Sequence, residues 1–401
     1  MSLLDDVRDA ARLLEPVVTR TPVEYSRALS EIAGTDVYLK CENLQRSGSF
    51  KVRGAYVRMA RLSAAEQARG VVAASAGNHA QGVALAAAQL GIDAVVYMPI
   101  DAALPKIAAT RQYGAEVRLH GLTVDEALAA ARAEAERTGA VLIHPFDHLD
   151  VVVGQGTLAL EIVEQVPQAA TVLVPVGGGG LAAGMQAALA ELRPDVRVIG
   201  VQAARAAAYP ASLAAGEPVT AAELHTMADG IAVGTPGAVP FELLHRYGTE
   251  VRTVSEEDLS RALLLVAERA KLLVEPAGAA GVAAVMAGGA GAFAGPVVVL
   301  LSGGNIDPLV LLRVVRHGLA SSGRYLALRV RLHDSPGALA GLLRELAKLG
   351  ANIMHINHTR TGIDLDVDEA EVELQVETKG PEHCAGVLAG LRDHGYRLSE
   401  L

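Results

Sequence analysis

The spacing of apolar residues divides the chain into two regions of different character. Up to about residue 320, short β-branched or aliphatic runs alternate with alanine-rich stretches of helical length. Such runs are Val71-Val72-Ala73-Ala74, Val95-Val96-Tyr97-Met98, Glu116-Val117-Arg118-Leu119, Val141-Leu142-Ile143, Val172-Leu173-Val174-Pro175-Val176 and Val196-Arg197-Val198-Ile199-Gly200-Val201. Strands spaced by helices predict a parallel, helix-covered sheet, an α/β fold whose ligands sit at the carboxyl ends of the strands. Residues 1–15 read as a helix, because Asp5, Asp6, Arg8, Asp9 and Arg12 interrupt any continuous apolar core of the signal-peptide kind.

No charged residue occurs from Pro276 to Ile306, a length that on a simple count would cross a bilayer. Gly288-Gly289, Gly291, Gly295 and Pro296 cut it into a buried helix, a loop and a short strand at Val297-Val298-Val299-Leu300-Leu301. Past Ser321-Ser322-Gly323 the pattern changes. Residues 325–332 alternate as a strand and 336–349 form an amphipathic helix. Residues 352–360 and 369–378 read as further strands, 381–394 as a second helix and 396–401 as a last strand, giving the order βαββαβ.

Composition narrows the classes. A chain of 401 residues has room for two or three domains with real cores. Its 35 basic and 45 acidic residues give a net charge of −10, so neither a nucleic-acid nor a membrane partner is expected. The two cysteines, Cys41 and Cys384, lie far apart in sequence, which fits reduced thiols in a cytoplasmic protein and is too few for a four-ligand zinc site.

The candidate chemistry begins at Ser49-Phe50-Lys51, where a basic residue stands among small, turn-forming and apolar neighbours. A partly desolvated lysine loses its proton more readily and can attack a carbonyl to form a Schiff base. Ser75-Ala76-Gly77-Asn78-His79-Ala80-Gln81-Gly82 follows a predicted strand and feeds a helix, offering free N–H groups to a carboxylate. Gly177-Gly178-Gly179-Gly180-Leu181 also follows a strand and opens a helix near Ala182; four glycines let the backbone wrap an anion as a phosphate cradle. That run alone fits any nucleotide or phosphate binder. Ser302-Gly303-Gly304-Asn305 places a hydroxyl at another strand end, where it could face a ring nitrogen. The four segments in this order supply the parts of a pyridoxal phosphate site.

The stretch Glu42-Asn43-Leu44-Gln45-Arg46-Ser47-Gly48-Ser49-Phe50-Lys51-Val52-Arg53-Gly54-Ala55 resembles, almost residue for residue, the lysine signature of the threonine dehydratases (threonine ammonia-lyases). These are pyridoxal phosphate enzymes of the tryptophan-synthase-β type. The similarity continues through residues 75–82, His144-Pro145-Phe146-Asp147, Gly154-Gln155-Gly156-Thr157, the glycine run, Ala228-Asp229-Gly230-Ile231-Ala232-Val233, Glu275-Pro276 and Ser302 to Asn305. It implies a two-lobed fold type II domain over residues 1–320, with a smaller lobe near 50–145 inserted in a larger one. Lys51 would hold pyridoxal 5'-phosphate covalently and act on the substrate's α-proton. Asn78 would bond the ring hydroxyl, Gly177, Gly178, Gly179, Gly180 and Leu181 the phosphate, and Ser302 the pyridine nitrogen, with Phe50 beside the ring. Ser75, Asn78, His79 and Gln155 would meet the substrate carboxylate. The implied reaction is α,β-elimination of water from L-threonine, giving 2-oxobutanoate and ammonia, with L-serine to pyruvate beside it.

Residues 325–401 resemble an ACT domain through Asp334-Ser335-Pro336-Gly337-Ala338-Leu339. Such modules pair with a copy of themselves and bind amino acids, so Asp334 and Asn352 would face a branched-chain effector, with Gly350-Ala351-Asn352-Ile353 closing the pocket, in a homodimer or homotetramer. The module suggests feedback control as in isoleucine synthesis, whereas the signature around Lys51 looks more like that of short degradative dehydratases, so the resemblance leaves the pathway open. Two alternatives stay open: a serine racemase or serine dehydratase, and a catalytically silent amino-acid sensor. The related racemases carry serine where this chain has Ala76, and alanine neither gives nor takes a proton. Gln202 falls where some relatives place an acidic metal ligand, so no metal site is expected.

Overall fold

The computed structural model describes residues 2–361 and 365–400. It divides into two compact units, Met1–Leu311 and Leu312–Leu401. The strands of the first unit are β1 (Val23–Tyr25), β2 (Val37–Lys40), β3 (Val71–Ala74), β4 (Ala94–Met98), β5 (Glu116–Leu119), β6 (Val141–Leu142), β7 (Thr171–Pro175), β8 (Arg197–Ala203), β9 (Glu250–Val254) and β10 (Val297–Leu300).

They form two sheets. The larger has the order β1-β2-β10-β7-β8-β9 and the smaller β5-β4-β3-β6. Every pairing is parallel except β1 with β2. Every residue of β3, β7 and β10 is buried, as expected for strands covered on both faces, and this is why their sequences read as unbroken apolar runs. The uncharged stretch resolves into a short helical turn, Ala277–Ala279, the helix Ala280–Gly288 and strand β10. Among the described residues no helix is long and apolar enough to cross a membrane.

Two helices begin earlier than the apolar pattern indicates. One spans Asn78–Leu90 and another Gly180–Leu192, so Asn78 and Gly180 are first-turn residues and their N–H groups are helix-terminal. The helix Lys51–Ala60 begins at Lys51 itself. It lies backbone to backbone on the helix Leu149–Gln165, where a Cβ on Gly154 would come 2.7 Å from the Cα of Gly54.

Beneath that contact lies a buried ion network. Arg53, 1 % exposed, donates twice to Glu42, at 2.9 Å for each bond, and pairs with Glu161 at 2.7 Å. Lys40, fully buried at the end of β2, pairs with the other oxygen of Glu161 and donates to the carbonyl of Thr21. Burial by itself would push the Glu42 carboxyl up, but the Arg53 guanidinium outweighs it and holds the group below its ordinary value.

The second unit is built from β11 (Tyr325–His333), β12 (Asn352–Thr359), β13 (Glu369–Glu377) and β14 (Arg397–Glu400), with the helices Ala338–Lys348 and Pro381–Asp393. The sheet is antiparallel throughout, with order β12-β13-β11-β14, the ferredoxin-like arrangement. In β13 the residues Ala370, Val372, Leu374 and Val376 are buried and alternate with half-buried polar ones, so one face packs on the two helices. The first of these helices starts at Ala338, two residues later than the pattern predicts, because Gly337 takes φ +92 and ends the turn from β11.

Removing the guanidinium should expose how much the first unit leans on it. Arg53→Met leaves the buried Glu42 and the half-buried Glu161 facing one lysine, and urea unfolding should show a loss of about 3–5 kcal/mol. Arg20→Met, at the exposed pair with Glu164, should cost no more than about 1 kcal/mol. Equal losses for the two variants would refute the assigned importance of the network.

Candidate active site

The carboxyl ends of β2, β3, β7 and β10 are each followed by one of the segments singled out in the sequence, and these segments meet around a cavity of about 460 Å³. Phe50, Lys51, Ser75, Asn78, His79, Gln155, Gly177, Gly178, Gly179, Gly180, Leu181 and Ser302 all line it. The lysine loop is sewn to the loop after β10: Ser49 bridges Gly303, the N–H of Phe50 donates to the carbonyl of Ser302 at 3.2 Å, and the N–H of Gly304 donates to Gly48 at 2.8 Å. Lys51 and Ser302 are thereby held in fixed relation although they lie far apart in sequence.

The ammonium of Lys51 donates to the carbonyl of Pro145 at 3.1 Å and stands 5.2 Å from the centre of the Phe50 ring. Burial lowers it from 10.5 to about 8, against the raising effect of the Glu275 carboxylate. An amine with that value is still mostly protonated near physiological pH but keeps a minor neutral fraction far larger than that of an ordinary lysine. Both nearby imidazoles are neutral: burial lowers His79 to about 3 and His144 to about 4. The ring of His79 is bonded to the carbonyl of Ile143 at 2.8 Å, so this position offers the cavity its helix-terminal N–H rather than its side chain.

The glycine run is an open anion site. Among the described residues no acceptor takes the N–H groups of Gly177 to Leu181. A side chain could not be fitted here: a Cβ on Gly178 would lie 2.4 Å from the Phe146 ring, and one on Gly179, whose φ is +98, would lie 1.8 Å from the Tyr209 hydroxyl. That hydroxyl donates to the carbonyl of Gly178 at 3.1 Å and fixes the turn. Buried, unpartnered N–H groups at a helix start make a site for a phosphate. Together with a buried amine, and with Ser302 3 % exposed and its hydroxyl unpartnered among the described residues, they fit pyridoxal phosphate.

The sequence reasoning missed Glu275. Its carboxylate accepts from the amide of Asn78 at 2.6 Å, while the Asn78 oxygen accepts from Asn305 at 2.8 Å. Burial raises the Glu275 carboxyl to about 7, helped by Asp229 and opposed by Lys106, Asn78 and Lys51. Glu275-Pro276 stood among the motifs that carry the resemblance, but no role in the site was read for Glu275. Gln155 is 1 % exposed, with its side-chain oxygen unpartnered. Among the described residues no group of three or more His, Cys, Asp or Glu is placed to hold a metal ion.

In the second unit Asp334 borders a separate cavity of about 410 Å³ with Ser335, Gly337, His358 and Arg360. Its carboxylate is held by Arg360, Nε to each oxygen at 3.0 Å. Asn352 does not join it. It stands at the opposite end of the sheet, opposite Glu377 on β13, whereas Asp334 follows His333, which is opposite Glu369.

Residues 14–303 match the family described as pyridoxal-phosphate dependent enzyme, and residues 327–383 match the ACT domain. The chain is 46 % identical over 398 residues to the L-threonine ammonia-lyase of Thermotoga maritima, covering 99 % of each. Among solved structures, the threonine deaminase of T.th. is 42 % identical with a TM-score of 0.72, covering 77 % of this chain and 99 % of its own. The serine racemase of Dictyostelium discoideum is 34 % identical with a TM-score of 0.69, covering 76 % and 99 %.

The charges around Lys51 fix the sign of a pH effect. Competitive amine labelling of the cofactor-free protein, read by mass spectrometry, should titrate Lys51 near 8. Glu275→Gln removes a negative charge that stabilises the ammonium, so the midpoint should fall further. A midpoint near the ordinary 10.5, or one that rises in the variant, would contradict this reading of the site.

Proposed function

Because the chain belongs to the pyridoxal-phosphate dependent enzyme family and carries an ACT domain behind the catalytic one, we propose that it deaminates L-threonine to 2-oxobutanoate and ammonia, and L-serine to pyruvate. The observation that carries the reading is the buried Lys51 amine, lowered to about 8, opening into the same cavity as the unpartnered N–H groups of Gly177 to Leu181. The names of the relatives support the choice of substrate.

In this reading Lys51 would hold the cofactor covalently, Gly177 to Leu181 would bind its phosphate, Asn78 its ring hydroxyl and Ser302 its pyridine nitrogen, with Phe50 beside the ring. When bound, the cofactor supplies an electron sink that lowers the barrier to loss of the α-proton. Ser302 would moderate that sink, because a hydroxyl would leave the nitrogen uncharged where a carboxylate would keep it protonated. Lys51 Nζ takes the α-proton, and its lowered value makes it a competent base near neutral pH. Glu275 keeps Asn78 oriented by accepting from its amide, and Asn305 fixes the other end of the same side chain. The helix-terminal N–H groups of Asn78 and His79, with Ser75 and Gln155, receive the substrate carboxylate. His144, held neutral, adds no competing charge.

Racemisation is the second reading, and Ala76 disfavours it. The residue lines the cavity and brings no proton donor or acceptor to it. In the second unit, the cavity of Asp334 and Arg360 would take an amino-acid effector. Asn352 at the far end of the same sheet would then serve the site of a second copy, with β12 and β14 as the edges open to pairing. That arrangement favours a homodimer or a higher homo-oligomer.

The purified protein should release 2-oxobutanoate from L-threonine, and Lys51→Ala should abolish both turnover and the borohydride-reducible cofactor adduct. D-Serine from L-serine should be negligible by chiral chromatography; racemisation at a rate comparable with elimination would overturn the assignment. Isoleucine or valine should shift the apparent affinity for threonine several-fold to about a hundredfold, a coupling of about 1–3 kcal/mol. A chain ending before Tyr325 should keep turnover and lose that response. An unchanged response after truncation would reduce the second unit to an assembly module.

A further inference from the structure

Two lysines line the cavity, Lys51 and Lys106, and its histidines are held neutral. Lys51 serves cofactor attachment and proton transfer. A substrate carboxylate therefore has one other full positive charge to meet. Lys106 lies on the helix Leu104–Gln112, between β4 and β5 of the smaller sheet, and donates at 2.6 Å to Asp229 on the turn Asp229–Ile231 after β8 of the larger one. The pair thus closes across the cavity between elements of the two sheets.

The two partners are unequally placed. The lysine side chain is 12 % exposed and the aspartate 60 %, so the ammonium is walled in while the carboxylate reaches it from the solvent side. A Cβ on Gly77 would stand 3.6 Å from the Lys106 nitrogen, which puts the ammonium against the loop that leads into the helix at Asn78. A carboxylate resting on the first N–H groups of that helix would be within reach of the ammonium. Asp229 has the same charge and shape as an α-carboxylate and already pairs with that ammonium.

We propose that Lys106 binds the substrate's α-carboxylate, exchanging Asp229 for it, and that Asp229 is an internal competitor that holds the binding charge in place until substrate arrives. The exchange deepens the amino-acid reading above and rests on it. Asp229, more than half exposed, turns out to water without leaving a buried charge behind. The incoming carboxylate replaces it, so the number of ion pairs at Lys106 is unchanged.

A tie that only holds the two lobes together would respond alike to loss of either partner; a competitor responds with opposite signs. On the holoenzyme, calorimetric binding of L-2-aminobutyrate, which has the carboxylate but no leaving hydroxyl, is measured beside KM and kcat for L-threonine. Lys106→Met should weaken binding and raise KM by about tenfold or more, with a smaller loss in kcat, and Lys106→Arg should restore much of the affinity. Asp229→Asn should tighten binding and lower KM several-fold. L-2-Aminobutyramide, which lacks the negative charge, should bind the wild type and Lys106→Met alike. If Lys106→Met and Asp229→Asn weaken binding equally, or if the amide loses as much as the acid, the exchange is refuted. A wild type that binds L-2-aminobutyrate with these signs yet releases no 2-oxobutanoate would overturn the deamination reading and leave the exchange standing.

Discussion

The catalytic geometry rests on a network of two buried cations, Arg53 and Lys40, with the buried Glu42 and the half-buried Glu161, at the Lys51 helix. Arg53 sits two residues after Lys51, and its guanidinium is bonded to Glu42 after β2 and to Glu161 on the helix Leu149–Gln165. Lys40, the last residue of β2, closes the set on Glu161. Isolated buried charges are unfavourable by several kcal/mol each, so the network persists only because every charge in it is paired in good geometry. The network fixes where β2, the lysine loop and two helices meet. It does so without using the reactive amine, which leaves Lys51 free to be desolvated without a strong ion pair of its own.

That freedom explains the electrostatics of the cavity. Burial alone would make the Lys51 amine a poor cation, and Glu275 partly restores it. Burial likewise raises Glu275, and Lys51 partly lowers it. Each group moderates the other, and both titrate near neutrality, in the range where a proton can move with little driving force either way. The imidazoles of His79 and His144, desolvated to about 3 and 4, contribute hydrogen-bonding atoms and no charge. The charge balance near the chemistry is therefore set by Lys51, Lys106, Asp229 and Glu275, the first three of which all bear on the state of the buried glutamate.

Much of this was legible in the sequence because it is local. A strand buried on both faces must be written in apolar residues, so Val297 to Leu300 and Thr171 to Pro175 announce themselves, and the loops after them follow by position. The alternation of β13 gives away a sheet with one covered face. Glu275, Asn305 and Asp229 stood in recognisable motifs, but their contacts, and the pairing of Lys106 with Asp229, were not legible in the same way. Their roles come from contacts across 197, 227 and 123 residues of chain, and no periodicity encodes a partner at such distance. At His79 the turn that makes it a helix-terminal residue also sends its ring to the carbonyl of Ile143, leaving its N–H to face the cavity.

The helix starts carry the same lesson into function. The apolar pattern places the helix after the glycine run at Ala182, since the apolar run proper begins there. The backbone begins it at Gly180, before any large side chain. Those two residues matter because a helix satisfies its own N–H groups only after the first turn. Starting at Gly180 leaves the amides from Gly177 to Leu181 without acceptors among the described residues, packed under Phe146 and Tyr209, which leave no room for a side chain. The cradle is thus made by what the sequence withholds, side chains and internal hydrogen bonds together. An anion is the partner that such converging N–H groups at a helix start favour most.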